Sequence, residues 1–283
     1  MGLTLVVMLA VLMAQGFALS APRLQQTRAI RTTPFANRNV SMRDNEGSAY
    51  VPRNKSLWLA DDNGRAVFEV NAATGGLKRS IGRNRFESAR RQGGGPIAGV
   101  DRTRDFESIA YDRAHDTLYV FSSTCCGPSV LPAAFRLRRG PNGVFRVVSY
   151  QPLPAALKIS AAGWNAANGK LYVGFGSGMR TYDYARNSIG RAFSVPNLTD
   201  ITGMGFSLDG RYLYVTTGAE QLRRVRWATK RLVPGWTFGL AAFGIHDSRA
   251  VEVIDSRFYV VDGDDARSKA DPLRYAVHVL RPG

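Results

Sequence analysis

A seven-residue phrase recurs five times along this chain, and each copy runs through a tight polar turn into a second apolar triplet. The copies are Asp44-Asn45-Glu46-Gly47-Ser48-Ala49-Tyr50, Asp105-Phe106-Glu107-Ser108-Ile109-Ala110-Tyr111, Lys158-Ile159-Ser160-Ala161-Ala162-Gly163-Trp164, Asp200-Ile201-Thr202-Gly203-Met204-Gly205-Phe206 and Asp247-Ser248-Arg249-Ala250-Val251-Glu252-Val253. The triplets are Leu57-Trp58-Leu59, Leu118-Tyr119-Val120, Leu171-Tyr172-Val173, Leu213-Tyr214-Val215 and Phe258-Tyr259-Val260. Short strands repeating every ~40–60 residues indicate the blades of a β-propeller. The expected fold is therefore all-β and five-bladed. A sixth, degenerate blade inside residues 82–104 is the alternative. The third position of the phrase reads Glu46, Glu107, Ser160, Thr202 and Arg249. A position equivalent in the fold but free to change its chemistry is where a propeller places function.

Each copy reads as four strands separated by turns rich in Gly, Asn, Asp and Pro, such as Asn168-Gly169 and Asp209-Gly210. Blade one is expected over 44–81, two over 105–153, three over 158–195, four over 200–239 and five over 247–281. The stretch 82–104, rich in Gly and Arg, reads as a long loop insertion. The last copy has three strands before the chain ends. The segment Thr27–Thr33 has strand character and is expected to supply the fourth, closing the ring and covering two sheet edges. Residues 22–283 thus form a single propeller domain.

Residues 3–19 form the one long apolar run, followed by Ala18-Leu19-Ser20-Ala21 and Pro22. Residues 1–21 read as a secretory signal peptide or as an N-terminal anchor. Either places the folded part outside the cytoplasm: secreted, periplasmic or on the cell surface. The formal net charge is +16. It fits a polyanionic partner or an Arg-rich solvated surface, because the basic residues are spread over all blades. No nucleic-acid motif accompanies them. The two cysteines, Cys125 and Cys126, are adjacent. In an oxidising compartment a vicinal disulfide is expected, with an intermolecular bond or two free thiols as alternatives.

Connectivity puts the loops entering the inner strands and those joining second to third strands on one face. That face gathers Glu46, Glu107, Asp61, Asp62, Asp262 and Asp264, with Asp44, Asp105 and Asp247 nearby. Crowded carboxylates need a compensating cation. Hard oxygen donors on loops suit Ca²⁺, and these six residues are the candidate metal ligands. The competing arrangement is an ion pair between Glu46 and Arg249, which is equivalent in the adjacent blade. Arg249, Ser160 and Thr202 are the candidate ligand-binding residues. Strand alternation puts Glu46 on the same side as Tyr50, so strand twist must carry it toward the axis.

The phrases Asp44-Asn45-Glu46-Gly47 and Asp105-Phe106-Glu107-Ser108-Ile109-Ala110-Tyr111, each followed by a Leu-aromatic-aliphatic strand, resemble the D-x-E-G-I-A phrase of exported bacterial propellers. These are the SdiA-regulated-like and phytase-like (esterase-like phytase domain) proteins. The resemblance implies glutamates facing the channel and calcium as a recurring ligand. It fades after residue 153, where Ser160, Thr202 and Arg249 replace the glutamate. The expected protein is an exported, monomeric propeller that binds a small-molecule or anionic extracellular ligand, or a partner, around one Ca²⁺. The alternatives are a calcium-dependent phosphoesterase or esterase and a structural interaction module.

Overall fold

The computed structural model describes residues 23–32, 36–37, 40–97, 102–123, 130–263 and 271–283. Residues 1–21, Cys125, Cys126 and Asp264 lie outside these. Five antiparallel sheets succeed one another around a closed ring. Blade one consists of Asn45–Val51, Ser56–Asp61, Ala66–Asn71 and Leu77–Ile81, from axis to rim. Blade two is Phe106–Asp112, Thr117–Ser122, Ala133–Arg139 and Phe145–Pro152. Blade three is Ala161–Asn165, Lys170–Phe175 and Gly178–Asp183, and its outer strand is broken into Ser188–Ile189 and Phe193–Ser194. Blade four is Ile201–Phe206, Tyr212–Thr217, Gln221–Arg226 and Arg231–Gly239. Blade five is Ser248–Ile254, Arg257–Asp262 and Val277–Pro282, completed by Leu24–Ile30 from the other end of the chain.

The apolar triplets explain why sheets stack into a ring. Side chains alternate across a strand. Leu57 and Leu59 therefore face blade five and pack with Tyr259 and Val261, while Trp58 faces blade two and packs with Phe106 and Phe135. In blade two, Leu118 and Val120 face blade one while Phe121 faces blade three beside Tyr182. Each blade interface is its own apolar core, with Tyr172, Phe206 and Trp227 between blades three and four and Tyr214, Trp236 and Phe258 between four and five. The inner strands come close at the axis. A Cβ on Gly205 would stand 2.2 Å from the Val251 carbonyl oxygen, so only glycine permits this approach of blades four and five.

The closing strand is Leu24–Ile30, three residues earlier than the sequence suggests. Thr27 Oγ1 donates to the Val279 carbonyl at 3.0 Å, and the Arg28 guanidinium donates to the Ala72 and Ala73 carbonyls of blade one. The described residues of 82–104 build no sixth blade. They hold a short helix, α1 (Arg83–Glu87), and isolated bridges at Arg90–Pro96 and Arg91–Tyr150. Helix α1 exists to seat Phe86 edge-on against Phe106 and Phe135, with centroids 4.7 and 5.2 Å away.

Candidate functional site

The variable third position of the repeat is a β-bulge. Register shifts fall between Asn45 and Gly47, Phe106 and Ser108, Ile201 and Gly203, and Ser248 and Ala250. The skipped residues are Glu46, Glu107, Thr202 and Arg249. A bulge inserts one unpaired residue and re-aims its side chain. This resolves the parity conflict at Glu46: the extra residue, not twist, takes it off the Tyr50 face. A backbone hydrogen bond closes each bulge. The carbonyls of Asp44, Asp105, Asp200 and Asp247 accept the N–H of Asp62, Ser123, Gly218 and Gly263 at 2.8–2.9 Å. Blade three lacks the bulge, and Ser160 precedes its inner strand.

At the channel mouth Arg249 Nη1 stands 3.3 Å from Glu46 Oε2, and its Nη2 lies 2.7 Å from Asp247 Oδ2. The ion pair expected between Glu46 and Arg249 is therefore present. A Cβ on Gly263 would lie 2.7 Å from Arg249 Cγ, so this glycine makes room for the arginine. Arg249 does not by itself offset the burial and repulsion of the carboxyls here. Burial holds the Glu46 carboxyl well above the usual range. Glu107, Asp44 and Asp247 push it the same way, and Arg249 opposes them. Glu107 is likewise held well above its usual range by burial and by the charges of Asp105 and Asp62, and it donates a hydrogen bond to Asp105. Asp62 is pushed up to about 6 by burial and by Asp105, while the Asp105 and Phe106 N–H groups pull it down.

Asp61 and Asp262 end the second strands of their blades and do equivalent jobs. Asp61 Oδ1 accepts the Arg43 and Asp44 N–H groups at 3.1 and 2.6 Å. Asp262 Oδ1 accepts the His246 and Asp247 N–H groups at 3.3 and 3.1 Å. Both are fully buried and hold the loops that deliver the bulges. Burial pushes Asp61 up to about 8. Ser160 Oγ reaches the Gly174 and Ile201 carbonyls, linking blades three and four, and Thr202 Oγ1 donates to Thr216 Oγ1 at 3.1 Å. The structure thus brings Glu46, Glu107, Asp62 and Arg249 together and gives Asp61, Asp262, Ser160 and Thr202 bonds within the scaffold. Among the described residues, no three His, Cys, Asp or Glu side chains are grouped closely enough to hold a metal ion as they stand.

Sequence reasoning passed over Glu252. It occupies the sixth position of the repeat, where the other copies have Ala49, Ala110, Gly163 and Gly205. Its carboxyl accepts the Tyr50 N–H at the opposite end of the channel. Burial pushes it up to about 8, with that bond and Arg113 opposing. It lines a cavity of about 50 Å³ with Tyr50, Tyr111, Trp164 and Phe206. The signal was in the repeat, as one charged residue in a column of Ala and Gly.

Ring, bulges and mouth define the class as a five-bladed β-propeller with a polar axial mouth. The chain is similar to the crystal structure of Myxococcus xanthus glutaminyl cyclase, with a TM-score of 0.60 and 10% identity over 92% of this chain and 97% of that one. It is also similar to luciferin-regenerating enzyme, with a TM-score of 0.53 and 13% identity over 92% of this chain and 95% of that one. At these identities the likeness is one of fold. No family profile matches the sequence, and no curated protein matches it.

Proposed function

We propose that the protein is a binding propeller whose axial mouth takes a cation, with Ca²⁺ as the first candidate. One observation carries this reading: bulges deliver Glu46 and Glu107 to one mouth, where burial and mutual repulsion raise both carboxyls against the opposing Arg249 guanidinium. Glu46, Glu107, Asp105 and Asp62 are the oxygen donors that would hold the ion, and carboxylates are the donors Ca²⁺ prefers. Burial and repulsion favour the protonated form of these carboxyls, and the mouth is not a formed cage. Binding must therefore expel protons and draw the side chains together. The phytase-like and SdiA-regulated-like resemblance supports the same ion. A phosphoester or ester hydrolase is the weaker reading, because the Arg249 guanidinium that would hold the anion already serves Glu46 and Asp247.

The test is a calcium titration of the EDTA-treated protein in weak buffer. The expected result is proton release with binding, together with a rise in melting temperature of the size that native-state ligation gives, about 2.7 kcal/mol at a hundredfold excess over Kd. Glu107→Gln should remove most of both effects. Calcium without effect on either pH or melting would overturn the reading and leave the Glu46–Arg249 pair as a structural plug.

A further inference from the structure

Two cavities meet on the face opposite the mouth, between blades two and three, and His115 lines both. The first, about 410 Å³, is walled by Arg136, Arg138, Arg139 and Arg146. The second, about 530 Å³, is walled by Tyr119, Trp164, Tyr182 and Tyr184, with Asn168, Thr181, Asp183 and Ser188 among its polar groups.

Arg139 is neutralised locally, since its Nε lies 2.6 Å from Asp116 Oδ2. The other three arginines are not: no carboxylate among the described residues forms an ion pair with Arg136, Arg138 or Arg146. Arg138 and Arg146 are direct partners across the third and outer strands of blade two. Like charges placed directly opposite in a sheet destabilise it. Arg136 is held in place, with its guanidinium carbon 5.0 Å from the centre of the Tyr184 ring, and its buried Nε has no acceptor among the described residues. Tyr184 is itself fixed by Ser149, hydroxyl to hydroxyl at 3.0 Å, and lies 5.2 Å from the Tyr119 ring. His115 is oriented by Asp112, whose Oδ2 lies 2.7 Å from Nδ1.

We propose that this double cavity binds a sugar carrying a phosphate or sulfate monoester. Three uncompensated guanidinium groups match a tetrahedral oxyanion, which accepts several charge-assisted hydrogen bonds at once. The neighbouring cavity has the size of a small-molecule site, with aromatic walls and a few amide, hydroxyl and carboxylate groups. The half-buried rings of Tyr119 and Trp164 suit the apolar side of a sugar ring, while Tyr182 and Tyr184 belong to the buried core between blades two and three. Thr181 and Ser188 offer hydroxyls that can donate or accept, and Asn168 and Asp183, which already bond to Tyr172, Lys170 and Arg186, keep an amide hydrogen and oxygen lone pairs for ring hydroxyls. A free inorganic anion would fill only the arginine half. The acidic mouth plays no part in this binding, so the failure of one site leaves the other standing.

Isothermal titration of the full chain with glucose 6-phosphate, glucose 6-sulfate, glucose and inorganic phosphate tests the proposal. At least one ester should bind, and glucose and inorganic phosphate should each bind at least about tenfold more weakly than that ester. The better ester tells which monoester the site prefers. The double substitution Arg138→Ala with Arg146→Ala should weaken ester binding at least about tenfold, and Arg138→Lys with Arg146→Lys should weaken it less. Both arginines are exposed and repel each other, so the alanine pair should melt at or above the wild-type temperature. Three results would each overturn the proposal: no ester binding at millimolar concentration, inorganic phosphate binding as tightly as the ester, or ester binding unchanged in the alanine pair. A lower melting temperature for that pair would also overturn it, since the arginines would then be structural.

Discussion

Arg249 shows how one side chain couples stability to pH. It is 35% exposed at its end of the pair while Glu46 is 7% exposed, so water screens the pair incompletely. Folding raises the Glu46 pKa, so the protonated form is the one folding favours. The stability tied to this group is fully present below the unfolded value of 4.5 and is lost as pH rises through the folded value. Arg249 limits that loss by stabilising the carboxylate. We expect Arg249→Ala to cost little at pH 5 and about 1–3 kcal/mol at pH 9, below the loss from a fully buried pair because of solvent screening and proton uptake. Urea melts at the two pH values measure it, and an equal deficit at both would show that Arg249 acts through its Asp247 pair and packing rather than through Glu46. Glu252 follows the same sign at the other end of the channel. Its contribution declines between pH 4.5 and about 8. Glu252→Gln should therefore match the wild type at pH 5 and exceed its stability above pH 8, since every tenfold gain in proton affinity on folding is worth about 1.4 kcal/mol. A variant that is less stable at high pH would mean that the charged carboxylate holds the channel together.

The bulged inner strand is the element that turns a structural repeat into a site. Glycines set how closely these strands approach. In Gly205→Ala the new methyl would meet the Val251 carbonyl at 2.2 Å, so the inner strands of blades four and five must part. The expected cost is about 1–3 kcal/mol, as for other overpacked cores. A melt shows it, and a neutral result would mean that the ring widens freely. This element also marks how far the sequence could be read. The five phrases and their triplets made the blades legible, because Leu57-Trp58-Leu59 and its counterparts must alternate between two interfaces. The bulge was not legible, since a period of two continues through Asn45, Glu46 and Gly47 unless the partner strand is known. Glu46, Glu107 and Arg249 were found because their position varies among equivalents. That Asp61 and Asp262 hold loop N–H groups was not legible, because composition does not reveal which N–H a carboxylate accepts. Helix α1 was missed because a single buried residue, Phe86, rather than any apolar period, holds it in place.

At the scale of the molecule, ring closure depends on a blade shared by both ends of the chain. Leu24–Ile30 pairs with Val277–Pro282, and the Gly283 N–H donates to the Arg23 carbonyl at 2.8 Å. Those two residues are therefore neighbours, and a short linker can join them. A circular permutant that begins at Ala156 and runs through Gly283 and a linker to Arg23 and on to Ala155 opens the ring at an exposed loop between blades two and three. Every blade would then be built from one continuous stretch. The ring would close between blades two and three by packed side chains and a few side-chain hydrogen bonds, without a strand shared across the closure. The interface there is buried and aromatic, so the permutant should fold. It should nevertheless unfold faster than the natural order, because separating blades two and three no longer requires breaking a strand ladder. Unfolding rates in denaturant compare the two directly. Equal rates would show that the shared blade contributes nothing to keeping the ring shut, and that the five packed interfaces suffice.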